Sequence, residues 1–407
     1  MQNSYLKWMV AATCGLALTA CGGGGGDNGI TITASAGAGG TISPGTVKVA
    51  PGTTQAFTVT PNSGYLIASV DGTCGGTLNG TTYTTSPINT ACTVVASFSR
   101  TFTYEQLAPA ANTLNSPGTD PASFLALLNQ EGAKGYRYLY DTALTICISG
   151  LSNGGWCTAQ YAVPDLSLFV NDGLAPSYTY ELLPNPGNTT DFIAQANAEG
   201  AKGYQYMAWN SSRRSLMPTS YVLYRKDGGS TATYTYAAEA AGPMSNADAF
   251  VAQANARGQS GYYFYGRTST ADSAQANLYV KNNASKATYT YDAKADPVGY
   301  TSSVELLTAL SDQANSEGAK GYFPIYTLTP AIDIPNGNPS AKLYIKDQTQ
   351  SATFTFQFPG GNGNTINLLN SYGAQGYANS NTVYFSKATN CSGGWLCGVP
   401  NLPYSGQ

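Results

Sequence analysis

The sequence predicts an α+β protein: a small all-β module near the N-terminus, then five tandem β-α-β-β units in a curved array or a closed five-fold α/β ring. Three observations carry this expectation. The motif N-x-x-G-x-x-G-Y recurs five times, at Asn129–Tyr136, Asn197–Tyr204, Asn255–Tyr262, Asn315–Tyr322 and Asn370–Tyr377. Copies lie roughly 55 to 70 residues apart, near the usual range of supersecondary repeats. Each copy follows a strand-like run of alternating aromatics and precedes two more strand-like runs. Ahead of them, residues 30–99 alternate short β-rich runs with Gly, Pro and Asn turns, the pattern of a small antiparallel domain.

Within a unit, each element has its own signal. First strands read Thr101-Phe-Thr-Tyr, Tyr178-Thr-Tyr, Thr233-Tyr-Thr-Tyr, Thr288-Tyr-Thr-Tyr and Thr353-Phe-Thr-Phe. Their period of two places Phe102 with Tyr104, and Tyr234 with Tyr236, on one face. Helices follow, with Phe192, Ile193 and Ala196, or Leu306, Leu307 and Leu310, at helical spacing and Asp191 or Ser303 as N-cap. The first motif glycine is expected to end the helix, and the second to turn the chain into the next strand. Third strands read Leu168-Phe-Val, Tyr221-Val-Leu-Tyr, Leu278-Tyr-Val, Leu343-Tyr-Ile and Val383-Tyr-Phe. Short polar turns, such as Lys226-Asp-Gly-Gly, lead into the next unit, so a hairpin across each boundary is expected. The glycines follow the helix, whereas a phosphate loop precedes one, because the helix N-terminus carries the positive partial charge.

Composition narrows the function classes. Only 10 % of the 407 residues are charged, against about 25 % in an average soluble domain, which suits an exported protein. The net charge is −3, and removing a leader that carries Lys7 makes it one unit more negative. Nucleic acid, which needs basic patches, is excluded as a partner. There is no histidine, which removes Ser-His-Asp and Cys-His catalysis and histidine-ligated zinc. No cofactor is implied.

Lys7 precedes the mostly apolar run Trp8 to Ala17, too short to span a bilayer. Then come Leu18, Thr19, Ala20 and Cys21, followed by the glycines Gly22–Gly26. This resembles the lipobox of bacterial lipoproteins. The resemblance implies cleavage before Cys21, palmitate-type acylation of that residue, and a membrane partner held through the lipid. Gly22 after the cysteine implies outer-membrane sorting in a Gram-negative host, facing the periplasm or the surface. Six further cysteines fall into close pairs, and structural disulfides Cys74–Cys92, Cys147–Cys157 and Cys391–Cys397 are the simplest pairing in an oxidising compartment.

The run Gly39-Gly-Thr-Ile-Ser-Pro, the run Phe57-Thr-Val-Thr-Pro-Asn-Ser-Gly-Tyr and the Cys74/Cys92 pair resemble the bacterial repeat domain related to the internalin B-repeats. That resemblance implies a β-grasp-like fold and a surface spacer role. The helix-to-strand passage with its glycine motif is similar to the small DUF4177-like bacterial domains, which carry no known activity. With shifted boundaries the units are also similar to the five-bladed penteins, but the Cys and His of that chemistry are not available here. The expected organisation is a signal peptide (1–20), a Gly-rich tether (21–29), the β module (30–99), the five-unit domain (100–389) and a C-terminal disulfide loop and tail (390–407).

Two groups of residues are candidates for function. Aromatics can bind sugars or proteins, since the ring is apolar and the hydroxyl can hydrogen-bond. Tyr263 and Tyr265 are candidates from the strands, and Trp156 and Trp395 from the cysteine-closed loops, with capping of the chain of units as their other possible role. Carboxylates Glu105, Glu181 and Asp292 follow the first strand in three units, and a converging pair of them could hydrolyse a glycosidic bond. The expected function is a membrane-tethered envelope lipoprotein with a non-enzymatic binding, adhesion or structural role, its partner a glycan or an envelope protein. The alternative is an envelope polysaccharide or peptidoglycan hydrolase.

Overall fold

The computed structural model describes residues 29–108, 121–151, 157–207, 221–240, 244, 246–269, 275–330, 333–334, 336–358, 366–379, 385–391 and 394–398; for residues 142–151, 157–165, 268–269, 275 and 303 it describes the backbone alone. The leader, Cys21 and Trp156 lie outside the described residues, as do the side chains of Cys147 and Cys157. Among the described residues no helix is long and apolar enough to cross a membrane.

Eight strands form the N-terminal module: β1 (Ile30–Ala36), β2 (Gly40–Ser43), β3 (Thr46–Val49), β4 (Ala56–Pro61), β5 (Tyr65–Asp71), β6 (Gly76–Asn79), β7 (Thr82–Thr85) and β8 (Cys92–Arg100). They make two four-stranded sheets, ordered β3-β1-β8-β5 and β2-β4-β7-β6. Alternation in β4 buries Phe57 and Val59, which pack with Ile32, Tyr83, Val94 and Phe98 in a core of the module's own. Cys74 and Cys92 are disulfide-bonded.

Five units follow, each running strand, helix, strand, strand. The first is β9 (Thr103–Leu107), α1 (Pro121–Ala133), β10 (Arg137–Leu151) and β11 (Cys157–Asn171). The second is β12 (Tyr178–Pro184), α2 (Thr189–Ala201), β13 (Tyr204–Met207) and β14 (Tyr221–Asp227). The third is β15 (Tyr234–Ala240), α3 (Ala247–Gln259), β16 (Tyr263–Ser269) and β17 (Gln275–Asn282). The fourth is β18 (Tyr289–Ala295), α4 (Ser303–Ala319), β19 (Phe323–Leu328) and β20 (Ala341–Asp347). The fifth is β21 (Thr353–Gln357), α5 (Ile366–Ala374), β22 (Ala378–Asn379) and β23 (Phe385–Thr389).

The expected fold class needs correction. The protein is mostly β, with 46 % strand against 23 % helix, its strands lie in seven small separate sheets with five helices, and no closed five-fold ring of β-α-β-β units is formed. The expected hairpins across unit boundaries are absent as well. In every unit the third strand is central and pairs antiparallel with both the first and second strands of its own unit. With both edges of that strand occupied, it has none left for the neighbour.

The motif asparagine joins each unit to the next. The Asn side chain uses its amide to copy a strand partner, accepting from a backbone N–H and donating to the C=O of one residue in the next unit's first strand. Asn129 does this to Tyr180 at 2.8 and 3.2 Å, Asn197 to Tyr236 at 2.8 and 3.2 Å, and Asn315 to Phe356 at 2.7 and 3.1 Å. Asn255 does so to Tyr291, and Asn370 in the fifth unit to Tyr104 in the first. One residue on the outer edge of each first strand is thereby hydrogen-bonded by a side chain of another unit.

The first motif glycine has a different task from the expected one. Helices α1 to α5 run through it; at Gly132, Gly200, Gly258 and Gly318 an added Cβ would come closer than 3.0 Å to a backbone carbonyl of the next unit's first strand, and at Gly373 to that of Phe102, just ahead of β9 in the first unit. The second glycine, at Gly203 for example with φ +89°, makes the left-handed turn that ends the helix. Helix starts also shift from the expected caps. Asn188 and Ser302 accept from Asp191 N–H and Glu305 N–H, so the caps precede Asp191 and Ser303.

Buried tyrosine hydroxyls add a second link between units. Those of Tyr180, Tyr236, Tyr291 and Tyr104 accept from the backbone N–H of Tyr138, Tyr206, Phe264 and Asn379, at 2.7 to 2.8 Å. The module is joined to this assembly too. Ser97 and Ser99 of β8 donate to Asn390 and to the Ala388 carbonyl at 2.9 and 3.2 Å, so the module is docked beside β23.

Candidate functional site

One end of the sheets opens into a cavity of about 430 Å³. It receives the start of the first strand (Tyr178, Tyr234, Tyr289), the residue after the motif tyrosine (Arg137, Gln205, Tyr263) and the end of the third strand (Arg225, Asp227, Asn282, Asp347). The residue after the motif tyrosine is Arg137, Gln205, Tyr263, Phe323 and Ala378 in the five units, so it differs wherever the motif itself repeats. By contrast, the first-strand tyrosine and the Asp or Asn paired with it recur, as Tyr178 with Asp227, Tyr234 with Asn282 and Tyr289 with Asp347.

Its charged groups come in pairs. Arg137 meets Asp172 at 2.7 Å, with both side chains almost wholly buried. Burial raises the Asp172 carboxyl, but the Arg137 guanidinium outweighs it and holds the group below its usual range. Tyr178 donates to the other oxygen of Asp172 at 3.2 Å. Arg225 donates from Nε to Asp227 at 2.7 Å and from Nη2 to the Gln205 amide oxygen at 3.2 Å. Burial opposes its charge, yet Asp227 and the neighbouring tyrosines keep the guanidinium above its ordinary value. Its Nη1 is buried without a partner among the described residues. Gln205 passes the chain on, donating to the Tyr263 hydroxyl at 2.7 Å.

The other wall is aromatic. The disulfide-bonded pair Cys391–Cys397 closes the loop that follows β23, and Leu396 of that loop enters the core of the second to fourth units. Anchored this way, Trp395 stacks on Tyr263, with ring centroids 4.6 Å apart and planes at 24°. Tyr289 meets Tyr263 edge-on at 5.9 Å. Burial pushes the Tyr263 phenol well up, so it stays a neutral hydroxyl.

Of the residues singled out from sequence, Trp395, Tyr263 and Tyr265 come together at this cavity. Both tyrosines are 3 % exposed, so they form its wall instead of an open aromatic surface. Trp156 lies outside the described residues. The carboxylates Glu105, Glu181 and Asp292 do not converge. They occupy one position on three separate sheets, opposite Phe169, Tyr224 and Tyr344, and none lines the cavity. Each faces partners in its own unit: Glu105 faces Glu131, Glu181 faces Tyr204, and Asp292 accepts from Lys294 at 2.6 Å. Burial, then the Glu131 carboxylate, pushes Glu105 up to about 7. Lys226, Lys281 and Lys346, expected as hairpin-tip charges, sit 5.6 to 5.7 Å over the motif tyrosines Tyr204, Tyr262 and Tyr322.

Sequence reasoning missed Arg137, Gln205, Arg225, Asp227 and Asp347. The available signal was divergence within a repeat: Arg225 stands where Val280 and Ile345 stand in the next two units.

Residues 30–102 match the family model of the divergent InlB B-repeat domain. The N-terminal module is therefore a bacterial repeat domain of this type, which fits a protein of the bacterial surface or cell envelope. Comparison with curated proteins and with solved structures gives no match.

Proposed function

We propose that this protein is a non-enzymatic binding lipoprotein of the bacterial cell envelope. It is acylated on Cys21, held at the outer membrane, and captures an envelope glycan in the cavity of its five-unit domain. The observation that carries this reading is the cavity itself, where polar and aromatic residues of several units meet a disulfide-pinned tryptophan. A concavity of ordinary ligand size that gathers Arg137, Gln205, Tyr263 and Arg225, which differ from unit to unit, beside recurrent tyrosines reads as a site. Capture of an envelope protein is the other form of the same role. Hydrolysis is less favoured, because the three carboxylates suited to it lie on three sheets.

Two experiments test this. Labelling cells with radioactive palmitate should mark the wild type and leave Cys21→Ser unmarked and free of the membrane fraction; equal labelling of both removes the lipoprotein reading. Purified envelope glycan should be retained by the immobilised mature chain and lost in Trp395→Ala. Equal retention by the two proteins places binding elsewhere.

A further inference from the structure

We infer that the long ribbon of the first unit is a contact surface for a second copy of this chain, its apolar face meeting the same face of the copy about a two-fold axis. This surface is independent of the cavity, whose described lining comes from other residues.

Length sets the first unit apart. Its second and third strands, β10 and β11, have 15 residues each, whereas those of the other four units have 2 to 8. The first strand, β9, pairs with β11 only over Ser167–Asn171. Beyond that point residues 142–151 and 157–166 form a two-stranded ribbon, with no third strand on either edge among the described residues. At 3.3 Å per residue the ribbon is roughly 33 Å long. A two-stranded ribbon alone is marginal in water, and gains stability from a layer packed on its apolar face. Such a face is present. Leu144 stands opposite Val163 and Ile146 opposite Tyr161, alternating with Thr145 opposite Ala162 and Cys147 opposite Gln160. The two-residue period puts the first two pairs on one face, which is apolar, and the other two on the opposite face, which is mixed.

Charge and area identify the occupant. The ribbon's one charged residue is Asp165, at its base. It therefore gives an oppositely charged partner nothing to recognise, and gives an identical face nothing to repel. It also carries no lysine, the residue that commonly guards an exposed strand pair against its own kind. A second copy brings a ribbon of equal length and equal pattern, and a two-fold contact uses the same patch on both chains. A bilayer suits the ribbon less well, because the unpaired backbone groups along its two edges would lose their water there. Two strands about 4.8 Å apart and roughly 33 Å long present a face of about 330 Å². A stable interface takes about 800 Å² from each partner, so the pairing is weak and depends on concentration.

The test is sedimentation velocity of the mature chain carrying Cys21→Ser, so that no lipid drives association, from about 5 to about 500 μM. The sedimentation coefficient should rise towards that of a dimer across this range. Ile146→Glu brings two like charges into one small contact and should weaken dimerisation at least tenfold. Thr145→Glu, one residue away on the other face, should leave it within about twofold. Hydrogen–deuterium exchange needs no variant, and keeps the test valid if Ile146→Glu does not fold: residues 142–151 and 157–166 should exchange more slowly at the highest concentration than at the lowest. A chain that stays monomeric throughout overturns the inference. So does a dimer that Thr145→Glu weakens as much as Ile146→Glu, or one whose ribbon exchanges equally fast at both concentrations. Flotation with phosphatidylcholine vesicles covers the other occupant: a monomer that floats with them, and no longer does so as Ile146→Glu, puts lipid on this face and overturns the second copy.

Discussion

The role assigned to the first motif glycine can be tested by the sign of one substitution. Gly200 lies inside α2, where an exposed glycine replaced by alanine gains about 1 kcal/mol of helix propensity. Here the new Cβ would stand 3.0 Å from the Tyr234 carbonyl carbon and 3.2 Å from the Tyr236 ring, and closer still to the Tyr234 carbonyl oxygen. The helix and β15 must then separate. That strains the two Asn197–Tyr236 bonds and the bond from Tyr206 N–H to the Tyr236 hydroxyl. Each such bond is worth about 1 kcal/mol net, and overpacking adds about 1–3 kcal/mol. After the propensity gain is deducted, Gly200→Ala should lose roughly 3–5 kcal/mol. Urea unfolding followed by circular dichroism measures it. Gly187→Ala is the control, since nothing lies within 4 Å of its added Cβ, and should stay within about 0.5 kcal/mol of wild type. A Gly200→Ala protein as stable as the control, or more so, refutes the close-approach account.

Three further outcomes follow from the same contacts. Asn315→Ala should cost about 2–3 kcal/mol in urea unfolding, because it strips the buried Phe356 N–H and C=O of their partner. Glu105 is raised in the folded state from 4.5 to about 7, so the native protein binds the extra proton in that interval. The stability this gives is complete below pH 4.5 and is lost as pH rises through about 7. Glu105→Gln should flatten the decline between pH 5 and 8 by about 1 kcal/mol, after allowance for solvent screening; an unchanged pH profile counts against the Glu105–Glu131 interaction. Replacing both Cys391 and Cys397 by serine should free the loop and abolish the near-ultraviolet dichroism of the Trp395–Tyr263 stack.

Local structure was legible in the sequence where one physical rule governs it. Period-two aromatics placed Tyr178 and Tyr180 on one buried face, and Phe192 with Ala196 at helical spacing faces the core. Connections between units were not legible. Asn197 pairs with the backbone of Tyr236, and a backbone partner leaves no trace in residue identity. For the same reason the glycine of close approach at Gly200 and the glycine of the turn at Gly203 look alike in the sequence, although only the second has a positive φ. The cavity was half visible. Tyr263 and Trp395 stood out as aromatics, whereas nothing in the sequence singled out Arg225, which only the folded chain brings to Gln205 and Tyr178.

The central claim is that the Asn and Gly of the motif join the units, whereas the cavity at one end of their sheets binds the ligand. Hydrogen–deuterium exchange of the mature protein, with and without the envelope glycan it retains, tests this most directly. Protection is expected at the start of β13 and β16, at the end of β14, and across residues 394–397. Protection confined to the outer faces of α1 to α5, with these segments unchanged, would contradict the account.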